Sequence, residues 1–327
     1  MTRLAVALSV SVLALFMASL LIGPTAIGTT QSLSALVAGG EDPLALVMRE
    51  IRLPRSLLAA MIGASLGLAG AAMQGYLRNP LAEPGLIGVS GTAALGAVLA
   101  IHTGLSAAFA LGLPLAALGG AFLGVMLVML LAGPRGTSLT LILAGIAVSA
   151  LAAALTSLVL NLSPNPFAAN EIMFWMMGSL ADRSMTHVYL ALPFMALGWL
   201  LLGGLGRGLD ALTLGEDAAQ AMGIGIPRLR LLLTIGTACV IGASTAVAGA
   251  IGFVGLVVPH ILRPLVGAQP SRLLWASALG GAAMVLAADI AVRLILPERD
   301  LKLGVLTALI GAPLFLHLIL KLRQERI

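Results

Sequence analysis

Apolar runs of about 20 residues recur along the whole chain, separated by short polar stretches. A helix needs about 20 apolar residues to cross the hydrocarbon core of a bilayer. Ten such runs are present: 4–27, 56–76, 86–101, 107–132, 139–161, 188–205, 230–249, 253–266, 273–292 and 304–320. The eighth is short and carries Pro259. The third follows Pro80 and Pro84, which predicts an irregular entry. The pattern predicts an all-α polytopic membrane protein with about ten transmembrane helices, forming one domain over residues 1–327.

Composition agrees. Of 327 residues, 60% are hydrophobic and 9% charged, against about 25% charged in soluble domains. A bilayer accepts that apolar surface and water does not. The net charge of +5 does not point to nucleic acid, because the basic residues are scattered singly between apolar runs. The single cysteine, Cys239, permits no internal disulfide and no cysteine metal site. Arg3 followed by an apolar run to Ile22 has the look of a secretory signal, but we read it as the first span.

Loop charges set the orientation. With the N-terminus inside, the inner loops hold Arg3, Arg78, Arg135, Arg207, Arg228, Arg230, Arg263, Arg272, Lys321, Arg323 and Arg326. The outer side holds Arg49, Arg52, Arg55, Arg183, Arg293, Arg299 and Lys302. Both termini are then cytoplasmic. The seven outer basic residues ask for an explanation of their own.

Residues 63–71 (GASLGLAGA) and 242–250 (GASTAVAGA) match at six of nine positions, and a proline follows nine residues after each. One copy runs inward and the other outward, as in the inverted internal repeats of transporters. Chance similarity among abundant small residues, or selection for close helix packing, would give the same signal.

Four segments carry candidate chemistry. Residues 207–230 form the longest polar inner stretch. In it Thr213, Gly215, Glu216 and Asp217 predict a capped helix start, with Thr213 and Glu216 as a capping box. Ala218, Ala219 and Met222 continue the helix for about nine residues, until Gly223 stops it. It is either a connecting helix or a docking helix for a cytoplasmic partner. Arg52 and Arg55, with Arg293 near the other end of the chain, form outer basic positions. They are either snorkelling anchors or a collar for an acidic partner. Residues 170–184 include Met173, Trp175, Met176, Met177 and Arg183. They are either an interfacial aromatic helix or the lining for a flat, apolar ligand whose carboxylate meets Arg183. The histidines His102, His187, His260 and His317 show no metal-site spacing.

The chain has no phosphate-loop motif, no zinc-protease motif and no paired carboxylates within the spans. Asp289 is the one acid placed deep in a span. An ion-coupled secondary transporter needs an intramembrane ionisable relay, and an intramembrane enzyme needs paired catalytic groups. Both readings are disfavoured, and the energy source is expected on another polypeptide.

Taken together, Arg52-Leu53-Pro54-Arg55, Gln74, residues 78–90 (RNPLAEPGLIGVS), residues 214–223 (LGEDAAQAMG), residues 249–263 (GAIGFVGLVVPHILR) and residues 297–313 resemble the FecCD-type permeases. These import iron-siderophores, haem and cobalamin. The resemblance implies a homodimeric type II ABC importer permease in a bacterial inner membrane. Two cytoplasmic ATPase subunits, holding ATP and magnesium, would dock at Glu216–Met222. A periplasmic binding protein would dock on Arg52, Arg55 and Arg293, and the fifth and tenth helices would line the pathway. The permease itself would hold no resident cofactor or metal and catalyse no reaction. Residues 178–184 (GSLADRS) resemble the haem version, so haem is the expected substrate and Arg183 its pathway contact. Ferric siderophores and cobalamin are the alternatives.

Overall fold

A computed structural model describes residues 2–23, 28–38, 42–133, 136–163, 166–295 and 301–324. Arg135, Arg299 and Arg326 lie outside the described residues, as do the side chains of Lys321 and Arg323. The helices in chain order are α1 (Thr2–Leu21), α2 (Thr29–Ala38), α3 (Pro43–Leu46), α4 (Leu53–Leu77), α5 (Val89–His102), α6 (Leu105–Ala108), α7 (Gly112–Ala132) and α8 (Ser138–Asn161). They continue with α9 (Pro166–Met176), α10 (Met185–Gly203), α11 (Gly206–Leu212), α12 (Glu216–Ala221), α13 (Ile226–Ala248), α14 (Val254–Leu262), α15 (Pro270–Ile295) and α16 (Leu303–Gln324). A π-helical stretch, Val47–Arg52, leads into α4.

Seven helical segments among the described residues are long and apolar enough to cross a membrane, and α5 and most of α16 are shorter apolar helices. Each of the ten expected runs contains helix among the described residues, with two corrections. The run at 253–266 forms only a short helix: α14 has nine residues, about 13.5 Å at 1.5 Å per residue, less than the hydrocarbon thickness. The run at 86–101 begins with a 3-10 turn, Pro84–Ile87, and becomes α-helical only at Val89. Both α14 and α5 therefore start inside the bundle, after irregular backbone.

Irregular backbone away from water must find partners. Pro259 has no N–H, so the carbonyl of Gly255, four residues earlier, loses its helical partner. Gln74, buried on α4, donates its Nε2 to the carbonyls of Gly255 at 3.4 Å and Leu256 at 3.3 Å. Arg263 in turn donates to Gln74 Oε1 at 2.7 Å. These bonds tie α14 to α4.

The core is made by close backbone approach. A Cβ at Gly63 or Gly67 on α4 would collide with the backbone of α15 at Gly281 and Ser277. A Cβ at Gly96 or Gly120 would do the same between α5 and α7. Small residues at these positions let the helices pack in contact, as membrane bundles require. The two copies of the repeated segment lie in α4 and α13, and each helix ends in a break: at Arg78, which is left-handed at φ 49, and at Gly249.

Candidate functional site

The bundle has two ends. One carries the starts of α4 and α10 and the end of α15, with α9; the other carries α11 and α12. The first holds the expected docking and pathway residues, and the second the expected coupling residues.

At the α9 end, Asp289 on α15 is fully buried. It accepts Arg55 Nε at 2.9 and 3.1 Å and pairs with Arg55 Nη2 at 2.9 Å and Arg293 Nη2 at 2.8 Å. The last carbonyls of a helix have no partner of their own. At the end of α1, Arg52 donates to the carbonyls of Leu20 and Leu21. Arg293 donates to those of Ser19 and Ile22 and to Ser19 Oγ. Two guanidiniums thus close α1 against α4 and α15, where cations also favour the helix dipole. Arg52 is 4% exposed, and the side chains of Arg293 and Arg55 are 7% and 18% exposed. The collar expected of these three arginines is therefore turned inward. Arg52 and Arg293 donate inside the chain because a helix end buried in the bundle has no water to bond, and Arg55 donates to Asp289.

Helix α9 separates the expected pathway residues by face. Met173, Met176 and Met177 are 51%, 37% and 39% exposed and recur at i, i+3 and i+4, one side of a helix. Met176 and Met177 line an open, groove-like cavity of about 500 Å³ whose other wall is α16, at Val305, Ala308, Leu309 and Pro313. Trp175 points the other way and packs against Ala97, Ala117 and Ala246. Arg183 also lies elsewhere. It shares a polar cavity of about 260 Å³ with Glu171, His187 and Ser106, and its buried Nε has no hydrogen-bond partner. The expected grouping of Arg183 and Trp175 with the methionines is corrected on this point: a helix of 3.6 residues per turn sends Trp175 and Met176 to different faces, and Arg183 lies beyond α9 in the loop before α10. His187 closes the start of α10, its Nδ1 accepting the Ser184 backbone N–H at 3.2 Å.

At the other end, α12 starts after Gly215 at φ 107 and runs for six residues, not nine. The expected Thr213–Glu216 capping box is absent. Thr213 Oγ1 instead donates back to the Asp210 carbonyl at 2.6 Å, because Gly215 turns the chain between them. Gly223 is left-handed at φ 85 and stops the helix as expected. Ala219 is buried and anchors α12 to the bundle, whereas Leu214 and Met222 are 69% and 62% exposed and flank it. Glu216 and Asp217 are exposed in its first turn. The platform beneath is fixed by Asp210, which accepts the Ser271 N–H at 2.8 Å and Gln269 Nε2 at 3.0 Å, capping α15 from α11. Partial burial alone would raise the Asp210 carboxyl, but those bonds and nearby Arg272 outweigh it and hold it below the ordinary aspartate value.

Two features escaped the sequence reading. Asp289 is not the only acid within the bundle. Glu83, partly buried, lines a cavity of about 400 Å³ beside Ile146, Ile241 and Gly255. His260 and His317, 57 residues apart, line one cavity of about 190 Å³ between α14 and α16. A loop acid and two isolated histidines carry no spacing signal that would mark them.

The profile of the FecCD transport family matches residues 11–321. Relatives include the uncharacterised ABC transporter permease protein YvrB of Bacillus subtilis, 39% identical, covering 88% of this chain and 82% of that protein. The Fe(3+) dicitrate permease protein FecD of Escherichia coli is 36% identical, with 85% and 86% covered. The vitamin B12 permease protein BtuC of Klebsiella pneumoniae is 37% identical, with 84% and 82% covered. A solved structure described as an inward-facing, metal-chelate type ABC transporter is 34% identical with TM-score 0.86, covering 98% of this chain and all of that one. A permease fold, a helix end dressed with exposed apolar side chains, and these matches over nearly the whole length agree: the chain belongs to the FecCD transport family and is a multi-pass permease of the ABC importer type.

Proposed function

We propose that this permease moves haem inward across a bacterial inner membrane by alternating access. Two copies of the chain enclose the pathway, two cytoplasmic ATPase subunits supply the energy, and a periplasmic binding protein delivers the ligand. The observation that carries the ligand choice is the methionine face of α9 opposite α16. Met176, Met177, Val305, Ala308, Leu309 and Pro313 line that cavity without a formal charge. A ferric citrate complex, rich in carboxylates, would lose hydration there without compensation. A porphyrin face loses nothing of the kind, and thioethers adapt to a flat aromatic surface. The Lys302 ammonium, two residues before Gly304 of the cavity wall, sits 5.6 Å from the Phe174 ring centre and would be the nearest cation in sequence for a carboxylate tail. The relatives named for ferric dicitrate and vitamin B12 support a metal chelate as the ligand class.

In this reading the α12 end faces the cytoplasm, and Leu214, Glu216, Asp217 and Met222 form the ATPase footprint. Exposed apolar side chains beside acids on a water-facing end suit a partner surface. The binding protein docks at the α9 end, where Arg55 is the most exposed of the three arginines. Arg183, in its own polar cavity, is the candidate contact for an anionic group at the entrance, not within the methionine-lined cavity.

The test is ATP-dependent uptake of haem into proteoliposomes holding this chain, its ATPase and its binding protein. Met176→Asp/Met177→Asp should abolish haem uptake while leaving the assembled complex and its basal ATP hydrolysis intact. Uptake of ferric dicitrate or cobalamin but not haem by the unaltered complex would move the ligand and keep the permease.

A further inference from the structure

The two irregular segments inside the bundle meet at one contact. Glu83, in the segment between α4 and α5, accepts the backbone N–H of Phe253 at 3.2 Å through Oε1. Phe253 immediately precedes α14 and is left-handed, with φ 67 and ψ −23. A bulky side chain in that region is an outlier that the surroundings must enforce. The Phe253 side chain seats in a notch on α16: a Cβ at Gly311 would collide with it. Nearly two turns earlier on α16, Gly304 lies against the carbonyls of Met177 and Ala250, and its N–H donates to the Gly178 carbonyl at 3.3 Å. Helix α16 is therefore held at two points, by the α9–α10 loop at Gly304 and by Phe253 at Gly311. Between and beside these points lie Val305, Ala308 and Leu309, which face Met176 and Met177 across the cavity.

The geometry points to Glu83 and Phe253 as positioning residues for α16: the carboxylate holds Phe253 in its strained conformation, and the ring sets how far α16 stands from the methionine face of α9. This inference rests on the reading of that cavity as the transport pathway. The carboxylate suits this place electronically as well as geometrically. An ionised carboxylate accepts more strongly than a neutral oxygen, and the Phe253 N–H sits at the start of α14, where helix N–H groups lack partners and the dipole favours negative charge. A glycine at 253 would take the same φ without help. Glu83 then matters only while a side chain is present at 253, and that dependence separates a positioning role from general packing.

The experiment uses the permease reconstituted with its ATPase and binding protein and compares Glu83→Ala, Glu83→Gln, Phe253→Gly and Glu83→Ala/Phe253→Gly. The readouts are haem uptake per ATP hydrolysed, basal ATP hydrolysis and the thermal midpoint of the complex. Glu83→Ala should lower uptake per ATP at least fivefold with basal hydrolysis within twofold of the parent, and Glu83→Gln should recover most of the loss. In the Phe253→Gly background, adding Glu83→Ala should change uptake per ATP by less than twofold. Wild-type coupling in Glu83→Ala, or the same fold loss in both backgrounds, would overturn the proposal. A second measurement does not depend on the ligand. Met176→Cys/Leu309→Cys chains, with Cys239→Ser, are cross-linked by thiol reagents of graded length. Glu83→Ala should spread cross-linking over more lengths and Glu83→Gln should not. An unchanged length profile also overturns the proposal, and it does so even if haem proves to be the wrong ligand.

Discussion

Replacing Asp289 by Asn tests whether the arginines at the α9 end are internal clamps. The carboxylate is fully buried and takes contacts of 2.8–3.1 Å from Arg55 and Arg293. The local set of Arg52, Arg55, Arg293 and Asp289 carries three positive charges and one negative, so Asn raises the net from +2 to +3. Removing one partner of a buried ion pair costs about 3–5 kcal/mol, because the remaining charge stays desolvated. Arg293 is almost enclosed and keeps most of that cost, whereas Arg55, 18% exposed, finds some water. The expected loss is therefore about 3 kcal/mol, the low end of the range for broken buried pairs. It is read as unfolding free energy in mixed detergent micelles. Adding Arg55→Leu to Asp289→Asn should restore part of the loss, since one stranded cation goes. A loss below about 1 kcal/mol, the level of exposed ion pairs, would refute the clamp, as would a further loss on adding Arg55→Leu.

Other outcomes follow from the same structure. Gln74→Ala leaves the Gly255 carbonyl and Arg263 without their partner inside the bundle, and should cost about 1–3 kcal/mol in the same unfolding assay. Gly67→Leu forces α4 away from Ser277 on α15, so overpacking should remove about 1–3 kcal/mol or more and reduce the yield of folded permease. Met222→Asp together with Leu214→Asp should lower ATPase-subunit affinity at least tenfold in a pull-down titration, with no change in permease melting. Asp210, held below its ordinary value of 3.8, contributes stability that is present at neutral pH and fades as pH falls below about 4. The stability gap between the parent and Asp210→Asn should therefore close on acidification, and a gap constant from pH 7 to pH 3 would contradict the assignment.

Much of the architecture was legible in the chain. Apolar runs marked every spanning helix, because a backbone in lipid satisfies itself only as a helix and the run length measures the bilayer. Gly223 marked the end of α12, because its φ is one that other residues resist. The family could be read from long motifs, and the matches over residues 11–321 agree. Other features were not legible. A Thr-x-x-Glu pattern promised a capping box at α12, but the intervening Gly215 at φ 107 turned Thr213 toward Asp210.

What the sequence determined by itself is that the long apolar segments are helical, that the bilayer is their solvent, and which family they make. Those depend on composition and on spacing within one helix. What only the tertiary structure decided is direction and company. It turned Arg52 and Arg293 onto the end of α1 and put Met176 and Met177 on the α16 side of α9 while Trp175 faced away. It also brought Glu83 to Phe253 across 170 residues. The physical reason is that a side chain's partner is set by how helices pack and where they break, and in a nearly uniform apolar chain the local pattern does not encode which faces will meet.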